Sequence, residues 1–149
     1  MRRRLSAIRK PAGEPTALAS ALARVGDRWT LLIVDALLAG PARFGQLAEA
    51  VAGIAPNTLT HRLRKLEADG LVISLPYSQH PPRYEYRLSG PGAELAGALR
   101  LLAAWGARRT GESYALEHRD CGTPLEARWF CPTCDRTVAD GEGPDLTFA

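Results

Sequence analysis

Two groups of residues in this chain have the types and spacing that chemistry requires. The first lies towards the C-terminal end. His118 and Cys121 form an H-x2-C pair, nine residues follow, and Cys131 and Cys134 form a C-x2-C pair. Each pair puts two soft donors on one turn, and one imidazole with three thiolates is a closed tetrahedral set for zinc. Gly122 and Asp135 directly follow the two pairs, where residues tolerant of the left-handed region help backbone N–H groups turn towards sulfur. Four protein ligands leave no open position, so the expected metal is structural. Leu125, Ala127 and Trp129 alternate as one strand of a small ribbon would. Such a segment has little core of its own, and a metal would supply the missing order. Two other readings stand beside zinc. Cys131 and Cys134 have the spacing of a redox dithiol, although no βαβ pattern surrounds them. An unstructured segment can also carry incidental cysteines.

The second group is helical. Leu59, Leu63 and Leu66 recur at helical spacing within Pro56 to Asp69. With these facing inward at about 100° per residue, Asn57, His61, Arg64 and Ala68 occupy the opposite face. Thr58, Thr60 and Lys65 flank it. That face offers amide, hydroxyl, imidazole and guanidinium groups with no acid at its centre, and the small Ala68 permits close approach. An α-helix fits the major groove of B-DNA, where Asn pairs with adenine and Arg with guanine. Taken alone, the pattern better suits an ordinary solvated helix face, so the neighbouring elements must decide.

Those elements come in a telling order. A first helix is expected from about Thr16 to Val25, with Leu18, Leu22 and Val25 as its stripe, ended by Gly26. Asp27 has the chemistry of an N-cap for a second helix over Arg28 to Leu38. That helix is apolar on more than one side, as a central buried helix is, and Gly40-Pro41 stops it. Phe44, Leu47, Ala48 and Val51 predict a short third helix. Gly53 suits its left-handed stop and Ile54 can plug the corner. Pro56 fits the first position of the fourth helix, and Gly70-Leu71 resembles a Schellman ending. The period then changes to two. Leu71, Ile73 and Leu75 alternate, as do Tyr84, Tyr86 and Leu88, with an irregular tip expected over residues 76–82. A last helix is expected from about Ala93 to Arg108, striped by Leu95, Leu99 and Leu102. Short helix, tight turn, second helix, hairpin: this is the order of a winged helix-turn-helix, mainly α with a small β-hairpin wing. The expected organisation is a basic arm over 1–15, the winged domain over 16–109, and an acidic Cys/His tail over 110–149 that resembles a zinc ribbon.

Charge follows the same division. Residues 1–109 carry sixteen Lys and Arg against eight Asp and Glu, whereas residues 110–149 carry three against eight. A basic body points to a polyanionic partner. Arg2, Arg3, Arg4, Arg9 and Lys10 in the arm can touch phosphate or a minor groove, or simply aid solubility. The 149 residues are 46% hydrophobic and 23% charged, which excludes a disordered, collagen-like or coiled-coil chain. No apolar run approaches the ~18 residues of a membrane span, and no apolar stretch follows the basic start as in a secretion signal. A reducing, cytoplasmic setting is the expectation, and three cysteines cannot form a fully paired disulfide framework.

Several motifs in sequence resemble one family. They are Gly26-Asp27-Arg28-Trp29-Thr30-Leu31-Leu32-Ile33, Arg43-Phe44-Gly45-Gln46-Leu47, and Ile54-Ala55-Pro56-Asn57-Thr58-Leu59-Thr60-His61-Arg62-Leu63-Arg64-Lys65-Leu66-Glu67-Ala68-Asp69-Gly70-Leu71. Pro81-Pro82-Arg83-Tyr84-Glu85-Tyr86-Arg87-Leu88 and Ala104-Trp105-Gly106 fit as well. Over about residues 15–108 the chain resembles the HxlR-type bacterial transcriptional regulators. The resemblance implies a dimeric winged-helix DNA-binding protein whose first and last helices form the dimer contact. Many members carry a Cys-Pro pair just before the first helix, and some sense oxidants or electrophiles through it. Here that place reads Gly13-Glu14-Pro15, so sensing through that thiol is not available.

The reading that follows is a sequence-specific transcriptional regulator, a homodimer on double-stranded DNA carrying an inverted repeat. Asn57, Thr58, Thr60, His61, Arg64 and Lys65 are candidates for base edges and nearby backbone, and Arg43 and Arg83 for phosphates. The alternative is a zinc-ribbon or CxxC redox protein that uses its winged domain to bind protein. The acid-free helix face weighs against it. An enzyme is not expected, because no phosphate loop, nucleophile triad or paired carboxylates are present. No residue pattern picks out a small-molecule effector.

Overall fold

The computed structural model describes residues 15–138. The basic arm therefore lies outside the described residues except for Pro15, as does the place of the missing Cys-Pro thiol up to Glu14. The chain divides into two compact units at Ala96/Gly97.

The first unit opens with α1 (Ala17–Val25), which Thr16 caps by accepting the Ala19 N–H at 3.1 Å. Helix α2 (Arg28–Leu38) follows, with Asp27 as its N-cap. Next come a two-residue strand β1 (Ala42–Arg43), α3 (Phe44–Ala50) and α4 (Pro56–Ala68). Strands β2 (Val72–Gln79) and β3 (Pro82–Leu88) form the wing, and α5 (Gly90–Ala93) closes the unit. The sheet order is β1-β3-β2, antiparallel throughout.

Helix α2 is central, as its apolar sides require. It packs against α3, α4 and β3. Ile33, Val34 and Leu37 from α2, Leu47 from α3, and Leu59, Leu63 and Leu66 from α4 are buried. The corner between α3 and α4 is built as its residues dictate. Gly53 takes φ 81° and Ile54 is buried in the turn. Helix α4 ends in a Schellman motif: Gly70 takes φ 71°, Leu71 N–H donates to the Leu66 carbonyl at 2.9 Å, and Gly70 N–H donates to Glu67 at 3.0 Å.

Three expectations change. The wing has no long irregular tip. Its strands pair from Val72↔Leu88 to Gln79↔Pro82, leaving His80 and Pro81 alone to turn the chain through a cis peptide. The prolines suggested irregularity, but each sits where a missing N–H does no harm. Pro76 is on edge strand β2, and Pro82 is the first residue of β3. The register shift between Pro76 and Ser78 places a bulge at Tyr77. The last helix is also two pieces. Ser89 caps α5 by accepting the Gly92 N–H at 3.1 Å, and Glu94-Leu95 separates α5 from α6 (Ala96–Thr110). Strand β1, too short to show a period, is the third.

The second unit contains α6 and the tail. Leu99 of α6 is buried, whereas Leu101, Leu102 and Trp105 are exposed. Strands β4 (Trp129–Cys131) and β5 (Arg136–Val138) pair as a small antiparallel ribbon. Leu125 and Ala127, expected in its first strand, lie outside it. No described strand runs opposite them to fix an extended register. Among the described residues, no helix is long and apolar enough to cross a membrane.

Candidate nucleic-acid interface

The face of α4 is held in place by a contact at the start of α2. Asp27 accepts the Thr30 N–H at 3.1 Å and the Thr30 hydroxyl as well. Its Oδ1 also lies 3.2 Å from Arg62 Nε on α4. One carboxylate therefore caps one helix and ties down the next. Burial pushes the Asp27 carboxyl up, but the Thr30 hydroxyl, the Thr30 N–H and the Arg62 charge outweigh it and hold it below its ordinary value. Thr30 is itself almost fully buried, so its hydroxyl needs this partner. Arg62 is absent from the sequence-derived candidates, because its role depends on a partner in another helix that no local period reveals.

The rest of α4 presents the expected side chains. Asn57, His61, Arg64 and Ala68 are all exposed, and Thr58 and Thr60 are half-buried at the flank. The Thr60 hydroxyl donates to the Pro56 carbonyl at 3.0 Å. Lys65 is tethered differently. Its Nζ donates to the Arg24 carbonyl of α1 at 2.8 Å and to Asp69 at 2.9 Å. The ammonium thereby fastens α4 to α1, and it is less free than Arg64 to reach outward.

The wing adds a second positive element. Arg43 N–H donates to Gln46 Oε1 at 2.8 Å, and the Arg43 guanidinium stacks on the Tyr77 ring at 4.4 Å. Arg43, Tyr77 and Arg83 line one concavity towards the tip of the wing. The bulge that displaces Tyr77 is what gives Arg43 a ring to lie on. Periodicity carries no signal for this pair, since Tyr77 lies in the stretch that looked irregular.

Between α4 and the wing lies another cleft, lined by Thr60, Arg64, Glu67, Tyr84 and Tyr86 among others. Burial pushes the Tyr86 hydroxyl above its ordinary pKa, and the negative charge of Glu67 adds to this while Arg64 opposes it. Arg64 thus stands where the helix face meets the wing. The cleft lined by Arg64 and the concavity lined by Arg43 and Arg83 share Phe44, Tyr84 and Tyr86.

The tail residues come together only in pairs. His118 Nδ1 lies 3.3 Å from Cys121 Sγ. Cys131 receives hydrogen bonds from the backbone N–H and side chain of Cys134 and from the Thr133 N–H, which pull its thiol below the ordinary value. The Cys131 side chain in turn pushes the Cys134 thiol up. Among the described residues, no three His, Cys, Asp or Glu side chains are grouped as ligands of a metal ion.

Comparison with known proteins matches this architecture. Residues 24–114 match the family model described as HxlR-like helix-turn-helix. An uncharacterized HTH-type transcriptional regulator of Mycobacterium tuberculosis is 40% identical over 129 residues, covering 84% of this chain and 81% of that protein. The crystal structure of the HTH-type transcriptional regulator ytcD superposes with a TM-score of 0.61 at 36% identity, over 66% of this chain and all of that one. A structure of a transcription factor from Pseudomonas aeruginosa gives 0.61 at 34% identity, over 87% of this chain and 94% of that one.

Proposed function

The chain belongs to the HxlR-like helix-turn-helix family, and from that membership we propose that it is a sequence-specific DNA-binding transcriptional regulator acting as a homodimer on an inverted-repeat operator. One observation carries the reading. Helix α4 exposes Asn57, His61 and Arg64 on a single face, and the wing brings Arg43 and Arg83 to one concavity. The face can read base edges, and the wing arginines can clamp phosphates. The target places the protein in the cytoplasm.

Exposed apolar side chains support the dimer. In the single chain Leu18 is 67% and Leu22 52% exposed on α1, and Leu102 51% and Trp105 52% on α6. Water does not favour large apolar groups left in rows. A two-fold dimer would cover them and present two α4 helices to successive turns of the groove.

Selection of bound sequences from random DNA by the purified protein tests the proposal directly. An enriched palindrome with half-sites about one helical turn apart is expected. Arg64→Ala should then weaken binding to the selected site by ~1–3 kcal/mol with less effect on random DNA. Arg83→Ala should weaken both alike and reduce the salt slope by ~1. Equal losses on both DNAs for Arg64→Ala would move Arg64 from base reading to phosphate contact. No enrichment at all would remove the sequence-specific reading.

A further inference from the structure

The tail beyond α6 holds its shape without a core. Among residues 111–138 only Leu116, Cys131 and Val138 are even half-buried, while Tyr114, Leu125, Trp129 and Phe130 stand exposed. A two-stranded ribbon with no covered face is marginal in water. Yet this segment contains two tight reversals of the same construction. In the first, Gly122 N–H donates to the His118 carbonyl at 2.7 Å and His118 N–H donates to Thr123 at 2.9 Å. Glu117 and Pro124 bridge across its base. In the second, Cys131 pairs with Arg136 at the end of the β4–β5 ribbon.

Each reversal carries two soft donors three residues apart, and each places a left-handed residue immediately after the second donor. Gly122 has φ 67° after Cys121, and Asp135 has φ 51° after Cys134. Asp135 is the sole non-glycine residue with positive φ among those described, a conformation that is uncommon outside glycine. The turn it makes is the one in which the Cys134 and Thr133 N–H groups point at Cys131 sulfur. Two independent segments of chain have thus been given the same ligand-presenting turn.

We infer that the His118–Cys121 turn and the Cys131–Cys134 turn are two half-sites of one tetrahedral zinc site, which the ion closes by drawing them together. The donor set is one imidazole and three thiolates, a full shell for zinc. Among the described residues no three of these donors are grouped in one place, so the two turns have to approach one another. Residues 125–128 between them belong to no helix or strand and are exposed, so the link can adjust. Binding releases the thiol protons to solvent and exchanges them for Zn–S bonds, with no change in oxidation state. The exposed Trp129 and Phe130 lie within the segment that closure would compact.

The test uses the full-length protein purified under reducing conditions without chelator. Elemental analysis should find one zinc per chain. After removal of zinc, titration with Co2+ should give the visible bands of a tetrahedral ion and sulfur-to-metal bands of an intensity that counts three thiolates. Cys121→Ser, Cys131→Ser and Cys134→Ser should each lower zinc affinity by more than the ~10–100-fold typical of changes outside the ligand shell. Far-UV circular dichroism of the zinc-free protein should retain the winged unit's helices, which separates loss of metal from loss of fold. Absence of metal together with no tetrahedral cobalt spectrum overturns the inference. So does one ion per two chains with Cys121→Ser silent, because the Cys131–Cys134 pairs of two copies would then share it. A Cys131–Cys134 disulfide that forms in the metal-free wild type under mild oxidation and changes DNA affinity also overturns it, in favour of a redox switch.

Discussion

Replacing Asp27 by Ala should be among the most destabilising exposed-side substitutions in the winged unit. Three contributions can be separated. Loss of an N-cap acceptor costs ~0.5–2 kcal/mol. The Thr30 hydroxyl, almost fully buried, loses its carboxylate partner, and an unsatisfied buried donor costs ~1–3 kcal/mol. The Arg62 pair adds little, because both side chains are about a quarter to a third exposed, 26% and 30%, and exposed pairs contribute ~0–1 kcal/mol. These groups share one network and do not add simply, so about 2–4 kcal/mol is expected. Urea unfolding followed by circular dichroism reads the change as a shift in midpoint at constant slope.

Asp27→Asn separates the causes. Asn keeps the cap acceptor but has a single oxygen, so the Thr30 hydroxyl loses its acceptor together with the ionic part, and a stability between those of wild type and Asp27→Ala is expected. The pH dependence has a definite sign. The folded carboxyl sits below its ordinary value, and the unfolded one titrates near ~3.9. Its stabilisation is therefore fully present above about pH 4–5 and is lost as pH falls through the folded value. The gap between wild type and Asp27→Asn should narrow as pH drops below ~4. An Asp27→Ala protein within 0.5 kcal/mol of wild type, the ordinary range for surface changes, would refute the account of Asp27 as the cap of α2 and the partner of the buried Thr30 hydroxyl.

Two further outcomes are expected. A Cβ at Gly92 would lie 2.1 Å from the Leu71 carbonyl oxygen and 3.2 Å from Leu88 Cδ2. Gly92→Ala should cost at least ~1–3 kcal/mol, as overpacking does, and lower the thermal midpoint by several degrees; an unchanged midpoint would mean that α5 does not sit against the base of the wing. Leu18→Glu should leave helicity intact, since Leu18 is 67% exposed in the single chain, yet shift sedimentation from dimer to monomer at micromolar concentration. Retention of the dimer by that variant would exclude α1 from the contact.

What could be read in the sequence was whatever a helix must do with one buried face. Leu59, Leu63 and Leu66 are buried and Asn57, His61 and Arg64 are not, because a 3.6-residue period leaves no other arrangement once the core side is chosen. The caps were equally legible. Asp27, Gly53, Ile54 and Gly70 each serve a backbone need that few residue types meet. The wing was harder for a physical reason. A proline in isolation argues against a strand, but its cost depends on which edge its nitrogen faces, and that is known only once pairing partners are known. Pro76 is harmless because sheet order puts it on an edge strand, and Pro82 because it is the first residue of β3.

The same reasoning separates the residues of the candidate interface. Lys65 and Arg64 are adjacent and both basic, so composition treats them alike. Lys65 is directed by two acceptors, the Arg24 carbonyl and Asp69, which hold its ammonium against the fold. Arg64 stands at the cleft with the wing, where Glu67 and Tyr86 also lie. A guanidinium there keeps its planar fork of donors available to a base edge. Arg62, two positions earlier, turns the other way and is consumed by Asp27. Three basic residues within four positions thus have three settings: Arg62 joins helices, Arg64 stands exposed at the cleft with the wing, and Lys65 anchors α4 to α1. Their assignment follows from which acceptors surround each one. For that reason Arg62→Ala should lower stability before it lowers intrinsic DNA affinity, whereas Arg64→Ala should do the reverse.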